Sequence, residues 1–253
     1  MPRPSGLDAY AETFVARHAG PGAPVPGAPG LHGVRLSGDP SSVRLLVTDD
    51  RAVDELAALL PTVRTGRIAV LAHAVRCTEL VEDHLGWTST TSTAMARPDL
   101  RSVPAAALPR GLARRPVQES SDGAPGSVPL DEAVAVAVAA DPDAGETAGV
   151  LARGLRSLMP AFQLMAAVDR NGTVRATSGA GVFEHRAVVI FVSTDPGWRR
   201  RGVGRAMTAA ALEAARARGA SQACLDASDS GLPVYRGLGF DVLGRTRRFS
   251  SPL

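Results

Sequence analysis

Residues 187–194 read Ala-Val-Val-Ile-Phe-Val-Ser-Thr, a β-branched and aromatic run that stops at Asp195-Pro196. Arg199, Arg200, Arg201, Gly202, Val203, Gly204 and Arg205 follow almost at once, and an alanine-rich stretch runs on from there. That order calls for a strand, a tight loop and a helix whose first turn stands open. The first N–H groups of a helix lack intrahelical acceptors, and the helix dipole adds to their positive character, so the end suits a phosphate or pyrophosphate. Glycine lets backbone approach such an anion closely. Context separates this loop from a second match to Arg-x-x-Gly-x-Gly at residues 17–22, which closes a helix and enters a Pro/Gly tract instead of opening one.

The residues downstream narrow the choice. Residues 202–218 have apolar Val203, Ala206, Met207, Ala210 and Ala214 at three- and four-residue spacing, and Gly219 is placed to end the helix. A short strand is expected over residues 222–227, followed by Tyr235-Arg236-Gly237-Leu238-Gly239-Phe240. With both motifs in this order, residues 110–250 resemble the GNAT superfamily of acyl-CoA-dependent N-acetyltransferases. The family's Gln/Arg-x-x-Gly-x-Gly/Ala matches residues 199–204, and its Tyr-x-x-Leu-Gly-Phe matches residues 235–240.

The resemblance implies an α/β fold with a mixed central sheet flanked by helices, acetyl-CoA as cofactor, and acetyl transfer to a primary amine in a ternary complex. Residues 199–205 would hold the pyrophosphate. Phe191, Val192, Ser193 and Thr194 would offer backbone to the pantetheine arm, where the strand leaves its neighbour through a bulge. A backbone N–H near Val192 would serve as a one-donor oxyanion site. Tyr235 would be the general acid, because a phenol can protonate a departing thiolate at neutral pH. Ser228 stands where many relatives carry an asparagine that contacts the cofactor, an inexact match.

The general base is open. Many relatives place a carboxylate on the fourth strand, but residues 187–194 contain none. Glu184 and His185, just before that strand, are the nearest titratable groups, with Glu184 the candidate carried forward. Asp226 is a carboxylate that would face the cleft, and a water relay without a dedicated base is the other arrangement. The acceptor is expected to be a small-molecule amine. Two other readings stand beside it: acetylation of a protein or peptide amine, and a non-catalytic acyl-CoA sensor. The pairing of residues 199–204 with Tyr235 favours catalysis over sensing.

Composition removes other classes. All 28 basic residues are arginine, with no lysine, and the net charge is only +3. Together with abundant alanine and glycine this is the signature of a GC-rich, actinobacterial-like codon bias. Aromatic content of 4% leaves few stacking platforms for nucleic acid, so none is expected as a partner. Cys77 and Cys224 form neither a disulfide framework nor a metal-ligand spacing, and no metal is expected. No apolar run reaches a membrane span and the N-terminus lacks a signal-peptide core, so a cytoplasmic protein with no membrane partner is expected. A homodimer is compatible with residues 244–249, which read as an edge strand.

The chain is expected to divide into residues 1–97, a linker at 98–110 and the acetyltransferase domain at 111–253. Asn171-Gly172 marks a hairpin between strands at residues 163–169 and 173–183. A weak repeat with an offset of 153 aligns residues 81–87 with residues 234–240; both read as a short helix, a glycine stop and a Thr/Arg-rich strand. Residues 1–97 thus read as a shortened, degenerate copy of the same fold. Glu82 stands where the tyrosine belongs, so no cofactor is expected there.

Overall fold

A computed structural model describes residues 6–19, 22–25, 28–36, 38–119, 126–140 and 148–252. In chain order the elements are α1 (Gly6–Ala19), β1 (Gly22–Pro24), β2 (Leu31–Leu36), β3 (Asp39–Val47), α2 (Val53–Leu59), β4 (Thr65–Leu71), α3 (Val75–Leu85) and β5 (Thr88–Arg97). Next come β6 (Ala113–Gln118), β7 (Val128–Pro129), α4 (Leu130–Ala140), α5 (Ala148–Leu158), β8 (Phe162–Val168), β9 (Val174–Phe183) and β10 (Arg186–Thr194). The chain ends with α6 (Val203–Ala217), β11 (Gln222–Ala227), α7 (Leu232–Arg236) and β12 (Asp241–Ser250). The result is the mixed α/β architecture that the sequence implies.

The chain groups into two compact units. The first takes the residues up to Ala96, Asp226–Pro233 and everything from Phe240 on; the second takes Arg97–Leu225 and Val234–Gly239. The last strand therefore joins the N-terminal unit instead of continuing a domain that runs unbroken from residue 111. In the first unit the strands lie in the order β1-β2-β3-β4-β12-β5. Strand β12 pairs antiparallel with β4 on one side and β5 on the other. Residues 244–249 are thus interior, and the edge strand expected there is corrected: both of its ladders are already filled.

Within this unit β3 and β4 run parallel and stay zipped over six register pairs, Ser42–Val47 against Thr65–Val70. Val43, Leu45, Val47, Ile68, Val70 and Phe249 point to one face and bury against Leu56 of α2 and Cys77 and Val81 of α3. Helix α1 packs on β2 and β3 from the opposite face. Burial, with Asp50 alongside, pushes the Cys77 thiol up to about 12; it is a core residue, as is buried Cys224, and neither forms a disulfide.

The second unit orders its strands β11-β10-β9-β8-β6-β7. Strands β8, β9 and β10 form an antiparallel meander, and β10 then runs parallel to β11. Asp169 and Thr173 close the β8–β9 hairpin, with Gly172 at φ 81 as the Asn-Gly signal requires. Helix α6 covers β9 and β10. It is buried at every position from Ala206 to Leu212, which explains why four of those seven positions are alanine: larger side chains on all sides would hold the helix off the sheet.

The internal repeat has a structural counterpart. Helix α3 ends at Gly86 with φ 56, and the turn after α7 ends at Gly239 with φ 81; each left-handed glycine leads directly into β5 or β12. Residues 1–97 hold five strands and three helices among the described residues, so they are not a helical bundle.

Candidate active site

The local geometry starts from β10. Ile190 pairs with Gly179 and Ser193 pairs with Thr177, so Phe191 and Val192 together oppose the single residue Ser178. This two-for-one bulge sets Phe191 at φ 57, a region that a bulky side chain enters only under constraint. The constraint is visible: the buried Thr177 hydroxyl donates to the Phe191 carbonyl at 2.8 Å. On the other edge, β10 pairs with β11 only from Arg186 to Val188, against Gln222 to Cys224. From Ile190 to Thr194 the strand has left its parallel neighbour, and Phe191, Val192, Ser193 and Thr194 are all half-buried along the opening. The zipped β3–β4 pair of the first unit has no such opening.

At the end of β10, Asp195 caps a short 3-10 turn, Pro196–Trp198, accepting from the Gly197 N–H at 2.7 Å. Its other oxygen takes Arg175 at 2.9 Å, and Arg175 also grips Asp169 at 2.9 Å. Trp198 packs on Ala167, Ala176, Val203 and Met207, with the Arg201 guanidinium 5.1 Å from its ring centre. These contacts nail the loop to the sheet. Arg200 at φ 62 and Gly202 at φ 79 then turn the chain into α6. Gly202 is the N-cap and supplies no side-chain acceptor to the first turn. A Cβ built on it meets nothing within 4 Å, so the space above the helix N-terminus is open. Arg199, Arg200, Arg201 and Arg205 surround it and are exposed, although Arg199 also donates to the Ala140 and Thr194 carbonyls. Val203 is buried beneath the turn, and Gly204 passes close to the Thr194 hydroxyl. An anion-holding cradle is what this arrangement can make.

Tyr235 sits on α7 in the same unit, 7% exposed. Burial pushes its phenol up to about 12, so the group keeps its proton throughout the neutral range. The turn behind it is clamped by Arg97, which is buried and donates to the carbonyls of Leu238, Asp99 and Ser102. The raised phenol has a consequence for folding. Its folded value lies above the ordinary value near 10, so the stability it contributes is complete below pH 10 and is lost as pH climbs through about 12. The loss amounts to about 3 kcal/mol. Denaturant unfolding of Tyr235→Phe across pH 9 to 12 is expected to lack that part of the alkaline decline.

Other expected residues fall elsewhere. Glu184 occupies the β9–β10 turn at φ 54 and pairs with Arg186 at 3.1 Å, its side chain 68% exposed. It stands seven positions before Phe191, roughly 23 Å at the rise of an extended strand, so it is a hairpin residue to which no base chemistry at the bulge is assigned. His185 shares that turn. Asp226 is engaged within the first unit, accepting from the Tyr10 hydroxyl at 2.7 Å and facing Arg248 at 3.4 Å. Ser228 also belongs to the first unit, where it is exposed and accepts from the Gly231 N–H at 3.3 Å. Thr177, Arg175 and Arg97 carried no sequence signal; Thr177 acts on Phe191, Arg175 on Asp169 and Asp195, and Arg97 on Leu238. Among the described residues no cluster of metal-ligating groups occurs, and no helix is long and apolar enough to cross a membrane.

Residues 140–240 match the family model described as the acetyltransferase (GNAT) family. The segment that carries the bulged strand, the arginine–glycine loop and Tyr235 is therefore a GNAT acetyltransferase domain. Similar solved structures agree on the fold. A GCN5-related N-acetyltransferase from Kribbella flavida shares 18% identity over 100% of this chain and 97% of its own, with a TM-score of 0.64. A GCN5-related N-acetyltransferase from Sphaerobacter thermophilus shares 17% over 88% and 76%, with a TM-score of 0.54. A putative GNAT-family acetyltransferase from Novosphingobium aromaticivorans shares 14% over 96% of both chains, at 0.52. No curated protein sequence matches the chain.

Proposed function

We propose that this protein transfers the acetyl group of acetyl-CoA to a primary amine of a small molecule, using the second unit alone. The observation that carries the reading is the open, uncapped start of α6 at Gly202 beside a strand that a bulge has parted from its neighbour. The residues present fit acetyl-CoA: the first N–H groups of α6, with Arg200, Arg201 and Arg205, would take the pyrophosphate, and the backbone of residues 191–194 the pantetheine arm. The donor supplies an activated thioester carbonyl. The chain supplies the rest. The N–H of Val192 would polarise that carbonyl, and Tyr235 would hold a proton at Oη for the departing sulfur. No side chain near the bulge is assigned as base, so the amine would lose its proton to water.

A thiol-release assay over a panel of small primary amines and short peptides tests this reading. Amine-dependent release with at least one small amine is expected. Release with peptides only would replace the acceptor class, and none with any acceptor would favour an acyl-CoA sensor. A second expectation concerns the bulge. Thr177→Val removes one buried hydrogen bond and is expected to cost about 1–3 kcal/mol of stability. Its affinity for CoA should be unchanged while the preference for acetyl-CoA over CoA falls, because the loop is intact and the slot is not. Thr177→Ser should restore both; calorimetric titration with the two ligands decides.

A further inference from the structure

The second unit holds a buried charge to which the acetyl-transfer reading gives no part. Arg97 ends β5, is buried, and belongs to the same unit as Tyr235, Leu238 and Gly239. Its Nε donates to the Asp99 carbonyl at 2.8 Å, and its two terminal nitrogens donate to the carbonyls of Leu238 and Ser102. Burial lowers the guanidinium, with the Asp99 charge opposing, and an arginine stays charged at any working pH all the same. A charge taken out of water is costly unless it is hydrogen-bonded. Here the bonds go to main-chain carbonyls on two separate segments, so the side chain fixes backbone to backbone.

The two segments differ in how well they hold themselves. The loop after β5 is anchored: Leu100 is buried, and its N–H donates to the Ser221 carbonyl at 2.8 Å. The segment that carries Tyr235 is α7, five residues long and too short to be stable by itself. Two bonds tighten its end, from the Leu238 N–H to the Tyr235 carbonyl at 3.0 Å and from the Gly239 N–H to the Arg236 carbonyl at 2.9 Å. The Leu238 carbonyl then takes Arg97. Gly239, at φ 81, lies against the same guanidinium, and a Cβ built there would stand 3.2 Å from Nη1. We propose that Arg97 is a positioning residue for Tyr235, passing the fixed place of the loop after β5 to the turn that sets the tyrosine hydroxyl. The role rests on Tyr235 being the acid of the acetyl transfer. Lysine cannot fill it, because a single nitrogen does not reach both segments as the corners of a guanidinium do.

Arg97→Lys keeps the charge and one donor but loses the span. Turnover in the thiol-release assay is expected to fall about ten- to a hundredfold, as a small misplacement of a reacting group implies, with acetyl-CoA affinity by calorimetry unchanged. In the Tyr235→Phe background the same change should cost less than about twofold, since no hydroxyl is left to place; a merely structural role costs the same in both backgrounds. A second readout needs no activity. The chain has two tyrosines, and in protein made with isotope-labelled tyrosine the Tyr235 signal is assigned by its loss in Tyr235→Phe. Burial holds that phenol up at about 12. In Arg97→Lys it is expected to fall back toward the ordinary value near 10 as the loosened turn admits water. Gly239→Ala leaves Arg97 in place but presses a methyl on its guanidinium, and should move the phenol the same way. An unmoved phenol in both variants, full turnover in Arg97→Lys, or equal losses with and without the Tyr235 hydroxyl would overturn the role of Arg97. Full turnover in Tyr235→Phe would overturn the acid assignment and this role with it; the phenol titration tells the two failures apart, because it reports whether Arg97 holds the turn whatever the acid is.

Discussion

Tyr235→Phe is expected to lower the turnover of amine acetylation by about two to four orders of magnitude while leaving acetyl-CoA affinity nearly unchanged. The magnitude is that of losing a positioned general acid. The substitution removes one oxygen from a residue that is otherwise packed, so the cofactor loop around Gly202 should feel nothing. The pH profile separates this role from packing. With its phenol held up at about 12, Tyr235 stays protonated across the whole working range. It therefore contributes no alkaline fall in rate below about pH 11. A native enzyme that loses activity with an apparent value near 10 would mean that the acid is another group. Equal turnover in Tyr235→Phe would remove the residue from the mechanism.

Gly202→Glu is expected to reduce acetyl-CoA affinity by at least about a hundredfold. Two effects act together. At φ 79 any side chain is strained, and the space that glutamate would enter is the space over the first N–H groups of α6. A carboxylate there competes as an N-terminal anion and repels phosphate. Losing one or two charge-assisted contacts is worth about 3 kcal/mol, which is the factor stated. Gly202→Ala shares the backbone strain but not the charge, so it should bind more tightly than the glutamate variant. If both lose affinity equally, strain alone is responsible and the anion cradle is misplaced.

The arginine–glycine loop and Tyr235 were legible because their chemistry is local: a strand, a stop, spaced glycines and a helix are consecutive in the chain. The bulge in β10 was expected from the family resemblance and appears at Phe191 and Val192. What was illegible depends on pairing across long distances. Strand β12 looks like an edge in sequence because nothing in residues 241–250 announces β4 or β5 as partners. The clamp of Arg97 on Leu238 spans 141 residues, and among 28 arginines no pattern singles it out. Glu184 failed for a different reason. It is the carboxylate just ahead of β10 in sequence, yet an extended strand carries seven positions to roughly 23 Å. Proximity along a strand is the poorest guide to proximity at a site.

The six-residue β3–β4 ladder also bears on function. It keeps that parallel pair closed, and Glu82 stands where a copy of the motif would need the tyrosine, so the reading proposed above needs one acyl site per chain. Calorimetric titration of the native protein with acetyl-CoA tests this account most directly. One site per chain is expected, with micromolar affinity that is lost in Gly202→Glu. Two equivalent sites per chain, or one that Gly202→Glu leaves intact, would contradict it.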